Sequence, residues 1–162
     1  MTAPDRSSDN DRGPQLLNRQ RTVALPAPRL RILRSFLGWL QKEVARGRPF
    51  DVCLVSDAAM RRSNRRFCGQ NSTTDVLAFS DGRRGRAGDL LISAETARRQ
   101  ARRLGHALET EIKILAIHGL LHLLGHDHHG PENTARMARA ERRWRRRFAL
   151  PRGLIDRGRS AR

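Results

Sequence analysis

The sequence predicts an α+β domain, a small mixed β-sheet of about four strands packed around a central buried helix. Three observations point there. Val52-Cys53-Leu54-Val55 and Leu90-Leu91-Ile92 are apolar runs of strand length bounded by polar residues. Leu30, Leu33, Leu37, Leu40 and Val44 recur at helical spacing, so an amphipathic helix precedes the first of those runs. Residues 111–124 are apolar nearly all round, which marks a helix covered by its neighbours and fit to sit at the centre.

Taken in order, residues 1–14 are polar and read as a disordered tail, residues 15–150 as a single domain, and residues 151–162 as a disordered basic tail. A short strand is expected at 22–25, closed by Pro26. Pro28 suits a helix start, and Gly47 ends that helix. The run 52–55 reads as a strand covered on both faces. Asp57 is expected to cap a short helix carrying Met60 and the arginines up to Arg66. Strands follow at 76–79 and 90–92, separated by a Gly/Arg-rich turn, and Ser93 opens a helix bearing Arg98, Arg99, Arg102 and Arg103. A last helix at 132–148 turns Met137, Ala140, Trp144 and Phe148 inward and Arg139, Arg142, Arg143 and Arg146 outward.

Charge is the strongest compositional signal. The formal net charge is +17, and Lys42 and Lys113 are the only lysines among 33 basic residues. Such an arginine field favours a polyanion, above all nucleic acid. Aromatic residues make up 4% of the chain and tyrosine is absent, which leaves few stacking platforms, so affinity for RNA should be mainly electrostatic. Cys53 and Cys68 are too few for a disulfide framework, and Cys53 reads as core packing. With no secretory or membrane-spanning stretch, the expected location is the cytoplasm.

All six histidines fall between His106 and His129. His118 and His122 are four apart, hence on one face of the central helix. Gly125 can take a left-handed conformation without steric cost, letting the chain double back and bring His128 over the same face. His126 and His129 compete with His128 as third ligand, and Asp127 can orient a ligand from behind. Three histidines with an open fourth position are the catalytic rather than the structural zinc pattern, so one Zn²⁺ per chain is expected. Zinc proteases with an H-E-x-x-H motif place a glutamate after the first histidine, where this chain has Gly119.

The stretch His118-Gly119-x-Leu121-His122-Leu123-x-Gly125-x-Asp127-His128 resembles the signature H-G-x-L-H-L-x-G-x-D-H of the YbeY family of rRNA-maturation endoribonucleases. The resemblance extends to Asn64-Arg65-Arg66-Phe67, Thr74-Asp75-Val76-Leu77-Ala78-Phe79 and Gly88-Asp89-Leu90-Leu91-Ile92-Ser93, and downstream to Met137 and Glu141, covering residues 23–150 or so. It implies the same α+β fold and the metal ligands His118, His122 and His128. It also implies a zinc-dependent, single-strand-specific endoribonuclease acting in 16S rRNA 3′-end maturation and ribosome quality control, with rRNA and the small-subunit precursor as partners. Asn64, Arg65, Arg66 and Thr74 become candidate RNA contacts.

This chain departs from the family at one place. An arginine that serves RNA cleavage follows the aromatic in the family, where this sequence has Cys68, and the family's lysine and proline are replaced by Gln70 and Thr73. Cysteine cannot supply the planar, permanently charged donors of a guanidinium. Arg65 or Arg66 can substitute from the preceding turn, or Cys68 can be a small residue filling a loop pocket beside Gly69. Three readings follow: a metal-dependent endoribonuclease; a ribosome- or RNA-associated zinc protein with weak or no nuclease activity; and a metal-dependent hydrolase of another substrate.

Overall fold

The computed structural model describes residues 12–80, 82–126 and 129–151. The expected tails fall mostly outside these, as do Asp127 and His128. Among the described residues the order is β1 (Leu16–Asn18), α1 (Ala27–Glu43), β2 (Phe50–Val55), α2 (Asp57–Cys68), β3 (Val76–Phe79), β4 (Gly88–Ser93), α3 (Ala94–Leu104), α4 (Leu108–Leu123) and α5 (Pro131–Arg147). The strands form one mixed sheet in the order β1-β2-β4-β3. β1, β2 and β4 run parallel, and β3 runs antiparallel to β4. The expected α+β architecture is therefore the observed one.

The sheet's period of two separates its faces. Leu16, Phe50, Val52, Leu54, Leu90 and Ile92 point into a single core, shared with Leu33, Leu37 and Leu40 of α1, Ile114, Leu115 and Ile117 of α4, and Met137 of α5. The other face carries Asp51, Cys53, Asp89 and Leu91, all half-buried. β2 is thus fully buried on one face and only partly on the other, where Val55 is buried but Asp51 and Cys53 are not, so the expectation that both faces are covered holds only at the end of the strand. Burial raises the Cys53 thiol above its ordinary pKa, partly opposed by Arg19.

Two local expectations change. The strand expected at 22–25 lies at Leu16–Asn18 instead, where Leu16 and Asn18 register with Val52 and Leu54. The Gln20 side chain accepts a hydrogen bond from Val23 N–H at 2.8 Å and donates one to Val23 C=O at 3.0 Å, so both backbone groups that a strand needs are already engaged. The cap of α2 is Ser56, whose Oγ accepts from Ala59 N–H, and not Asp57. Asp57 is spent across the molecule: its carboxylate accepts from the Ser93 and Thr96 hydroxyls and pairs with Arg99 at 2.8 Å. Glu95 returns the contact by accepting from Asp57 N–H, clasping the starts of α2 and α3 together.

Candidate metal centre

α4 forms because its body is almost wholly apolar and because Glu109 and Glu111 sit in its first turn, where a carboxylate suits the helix dipole. Its fully buried residues include Ile112, Ile114, Leu115, Ile117 and Leu120. Gly119 presses the helix against the sheet; a Cβ there would stand 2.8 Å from Leu90 Cδ2 and 3.0 Å from Val76 Cγ2. The stop at Gly125 is as expected. Gly125 has φ +89°, its N–H donates to His122 C=O, and His126 N–H reaches back to Leu121 C=O, a Schellman turn.

His118 and His122 lie on the flank of this helix, half-buried, with their Nε2 atoms 3.2 Å apart. Two nitrogens bound tetrahedrally at zinc distances stand about 3.3 Å apart, so the pair has the bite of a chelate. His118 Nδ1 donates to Glu141 Oε2 at 3.2 Å, which fixes the tautomer that leaves Nε2 with its lone pair. Glu141 is 1% exposed, and its other oxygen pairs with Arg145 at 2.7 Å. Arg145, itself buried, donates to Pro151 C=O at 3.1 Å. α5 therefore delivers a carboxylate to the back of the first histidine and braces it with a buried guanidinium.

The remaining histidines separate. His106 contacts the fully buried Glu111 in the turn before α4. His129 is exposed, and its carbonyl accepts from Asn133. His126 lines a small open pocket of about 70 Å³ with Leu124, Gly125, Asn133 and Arg136. Among the described residues no three His, Cys, Asp or Glu side chains converge as a metal-binding set, so neither His126 nor His129 completes one with the pair. His128 and Asp127 lie outside the described residues.

The residues expected to meet RNA cluster at the end of α2. Arg65, Arg66 and Cys68 are exposed, and Gly69 closes the helix in a left-handed conformation. Cys68 thus stands in solvent and does not fill a loop pocket. Asn64 is buried, with its amide donating to Ser72 C=O at 2.9 Å, so it ties the following loop to the helix. Thr74 is half-buried beside Asp75.

Glu141 and Arg145 are the residues whose role a sequence reading misses. The signal was present: Met137, Glu141 and Arg145 form an i, i+4 stripe, but an acid and a base at that spacing ordinarily mark a solvated face.

A four-stranded mixed sheet over a central helix that carries two half-buried histidines one turn apart defines an α+β domain. Residues 16–149 match the endoribonuclease YbeY family. The chain is 52% identical to the endoribonuclease YbeY of Solibacter usitatus over 125 residues, covering 77% of this chain and 83% of the relative. It is 40% identical to that of Thermus thermophilus over 118 residues, covering 68% and 85%. The solution structure of TM1509 from Thermotoga maritima superposes with a TM-score of 0.58 at 26% identity, over 81% of this chain and 85% of that one. The chain belongs to the YbeY endoribonuclease family.

Proposed function

We propose that this protein is a zinc-dependent endoribonuclease that cuts single-stranded RNA, acting in rRNA processing at the 3′ end of 16S rRNA and in ribosome quality control in the cytoplasm. The observation that carries the reading is the His118–His122 pair, with nitrogens 3.2 Å apart and a buried carboxylate behind the first ring. His128 is the third ligand and Asp127 its support, in keeping with the Gly125 turn that redirects the chain. Bound there, zinc would polarise a phosphoryl oxygen and lower the pKa of water toward roughly 7.

The chain's own groups do the rest. Glu141 holds His118 in orientation, Asn64 holds the loop after α2 in place, and Arg65, Arg66 and Thr74 engage the RNA backbone. Arg65 is three residues before Cys68, hence on the same helix face, and takes the place of the family's arginine. Hydrolysis of a peptide is disfavoured by Gly119: the position where a zinc protease carries its glutamate faces Leu90 and Val76 with no room for a side chain.

The reading of a weakly active RNA-associated metal protein keeps one specific observation, the exposed thiol of Cys68 where the family has a cation. A cleavage assay separates the two. Metal-loaded protein should cut single-stranded RNA, while chelated protein and His118→Ala should not; RNA binding without cleavage by the loaded protein would select the second reading. Elemental analysis should return one zinc per chain.

A further inference from the structure

We propose that Phe67 is a stacking platform for an unpaired nucleobase of the RNA substrate, a subsite that makes the enzyme read the strand as single; the proposal rests on the RNA-cleaving reading above. Phe67 is 61% exposed on the last turn of α2. Its ring is held by one edge-to-face contact, with Phe79 at a centroid distance of 5.1 Å and an interplanar angle of 63°. That contact sets the ring's orientation and leaves much of its surface in solvent. The Arg66 guanidinium lies 5.3 Å from the ring centroid, and Arg61, Arg62 and Arg65 share the helix surface. An exposed aromatic among arginines matches what single-stranded nucleic acid needs: a flat apolar surface for the base and cations for the phosphates on either side.

Placement ties the ring to the histidine turn. Phe79 ends β3, and its carbonyl oxygen would lie 2.2 Å from a Cβ built on Gly88, with Leu123 Cδ2 at 2.9 Å from the same point. Leu123 follows His122 directly. Phe79 registers with Asp89, so the aromatic pair lies on the face of the sheet away from α4, at the same end of β3 against which Leu123 packs, and a strand with its phosphate at the histidine pair would pass around that edge to lay a neighbouring base on Phe67. A base inside a duplex has both faces covered by its neighbours and cannot use this surface. Stacking also tolerates any base, so the subsite selects strandedness and not sequence. The four arginines of α2 favour a polyanion over an apolar segment of a partner protein.

The experiment measures affinity of wild type, Phe67→Ala and Phe67→Trp for a single-stranded 2′-O-methyl RNA, the corresponding duplex and inorganic polyphosphate, which offers charge without bases. Phe67→Ala should weaken single-strand binding about tenfold while leaving polyphosphate binding unchanged. Phe67→Trp should keep the affinity, and its emission should be quenched by single-stranded RNA beyond any change in wild type, but not by polyphosphate. Should Phe67→Ala fail to fold, the quenching of Phe67→Trp decides alone. Unchanged RNA affinity in Phe67→Ala, or an equal loss toward polyphosphate, would overturn the platform. Loss of a protein contact with RNA binding intact would instead make Phe67 a docking residue and also overturn it. Cleavage is followed in parallel: Phe67-dependent binding by a wild type that does not cut would defeat the nuclease reading alone, and cutting with Phe67-independent binding would defeat the platform alone.

Discussion

Glu141→Ala isolates the support behind the first histidine. The substitution removes two contacts at once, an acceptor for His118 Nδ1 and a carboxylate partner of Arg145, whose side chain is 6% exposed. Breaking a buried ion pair from one side leaves an uncompensated charge and costs about 3–5 kcal/mol. For a domain of this size each kcal/mol moves the midpoint by about 2–4 °C, so metal-free protein should melt roughly 10 °C lower. Loss of an outer partner weakens metal affinity by about 10- to 100-fold, which corresponds to about 1.4–2.7 kcal/mol. Two assays keep these apart: melting of metal-free protein reads the ion pair, and titration against a competing chelator reads the metal. Glu141→Gln retains an acceptor for His118 and should lose less metal affinity than Glu141→Ala. Arg145→Met combined with Glu141→Ala should recover much of the melting loss but none of the metal loss, because only the first arises from the stranded cation. A Glu141→Ala protein with wild-type metal affinity would refute the orienting role.

Gly119→Ala should destabilise by about 1–2 kcal/mol, since overpacking against Leu90 and Val76 outweighs the gain in helix propensity; a neutral urea melt would show that the sheet can give way. Burial alone would raise the Asp57 pKa, but hydrogen bonds from Ser93, Thr96 and Arg99 and the charge of Arg99 lower it below its ordinary value. Its contribution is therefore present above about pH 4 and is lost as pH falls through the depressed value, so urea melts should find Asp57→Asn less stable than wild type at neutral pH with the gap closing in acid. Cys68→Arg places a guanidinium at an exposed position, so it should leave the unfolding free energy within about 0.5 kcal/mol of wild type. If Arg65 already supplies the cation, Cys68→Arg should change the cleavage rate little and Arg65→Ala should lower it about a hundredfold; the reverse pair of results would assign the missing cation to position 68.

What the sequence made legible was local. α4 announces itself by an apolar circumference, and its end by Gly125, because a left-handed cap is a property of the few residues that form it. β1 was misplaced because Thr22-Val23 has strand-like chemistry, while a glutamine side chain at position 20 takes up the backbone of Val23. Asp57 and Ser56 are both good caps by composition; which one caps depends on α3, whose first turn claims the aspartate. The support of His118 was hidden for a related reason. Glu141 and Arg145 resemble a solvated i, i+4 pair until α4 is packed over them, and only the tertiary fold makes that carboxylate a partner of a histidine 23 residues earlier.

The arrangement separates folding from metal binding. α4 is anchored by Ile112, Ile114, Leu115, Ile117 and Leu120 against the sheet and α1, and none of that burial involves the histidines, which lie half-buried on its flank. The His118 and His122 nitrogens are therefore brought together by the hydrophobic core alone, unlike small zinc domains in which the metal supplies most of the folding energy. A metal held by this pair would stabilise only by mass action, as the logarithm of its concentration over its dissociation constant. A chelated protein that keeps a cooperative melting transition while losing cleavage is the signature of this design, and a chelated protein without such a transition would place the metal in the core's own ledger.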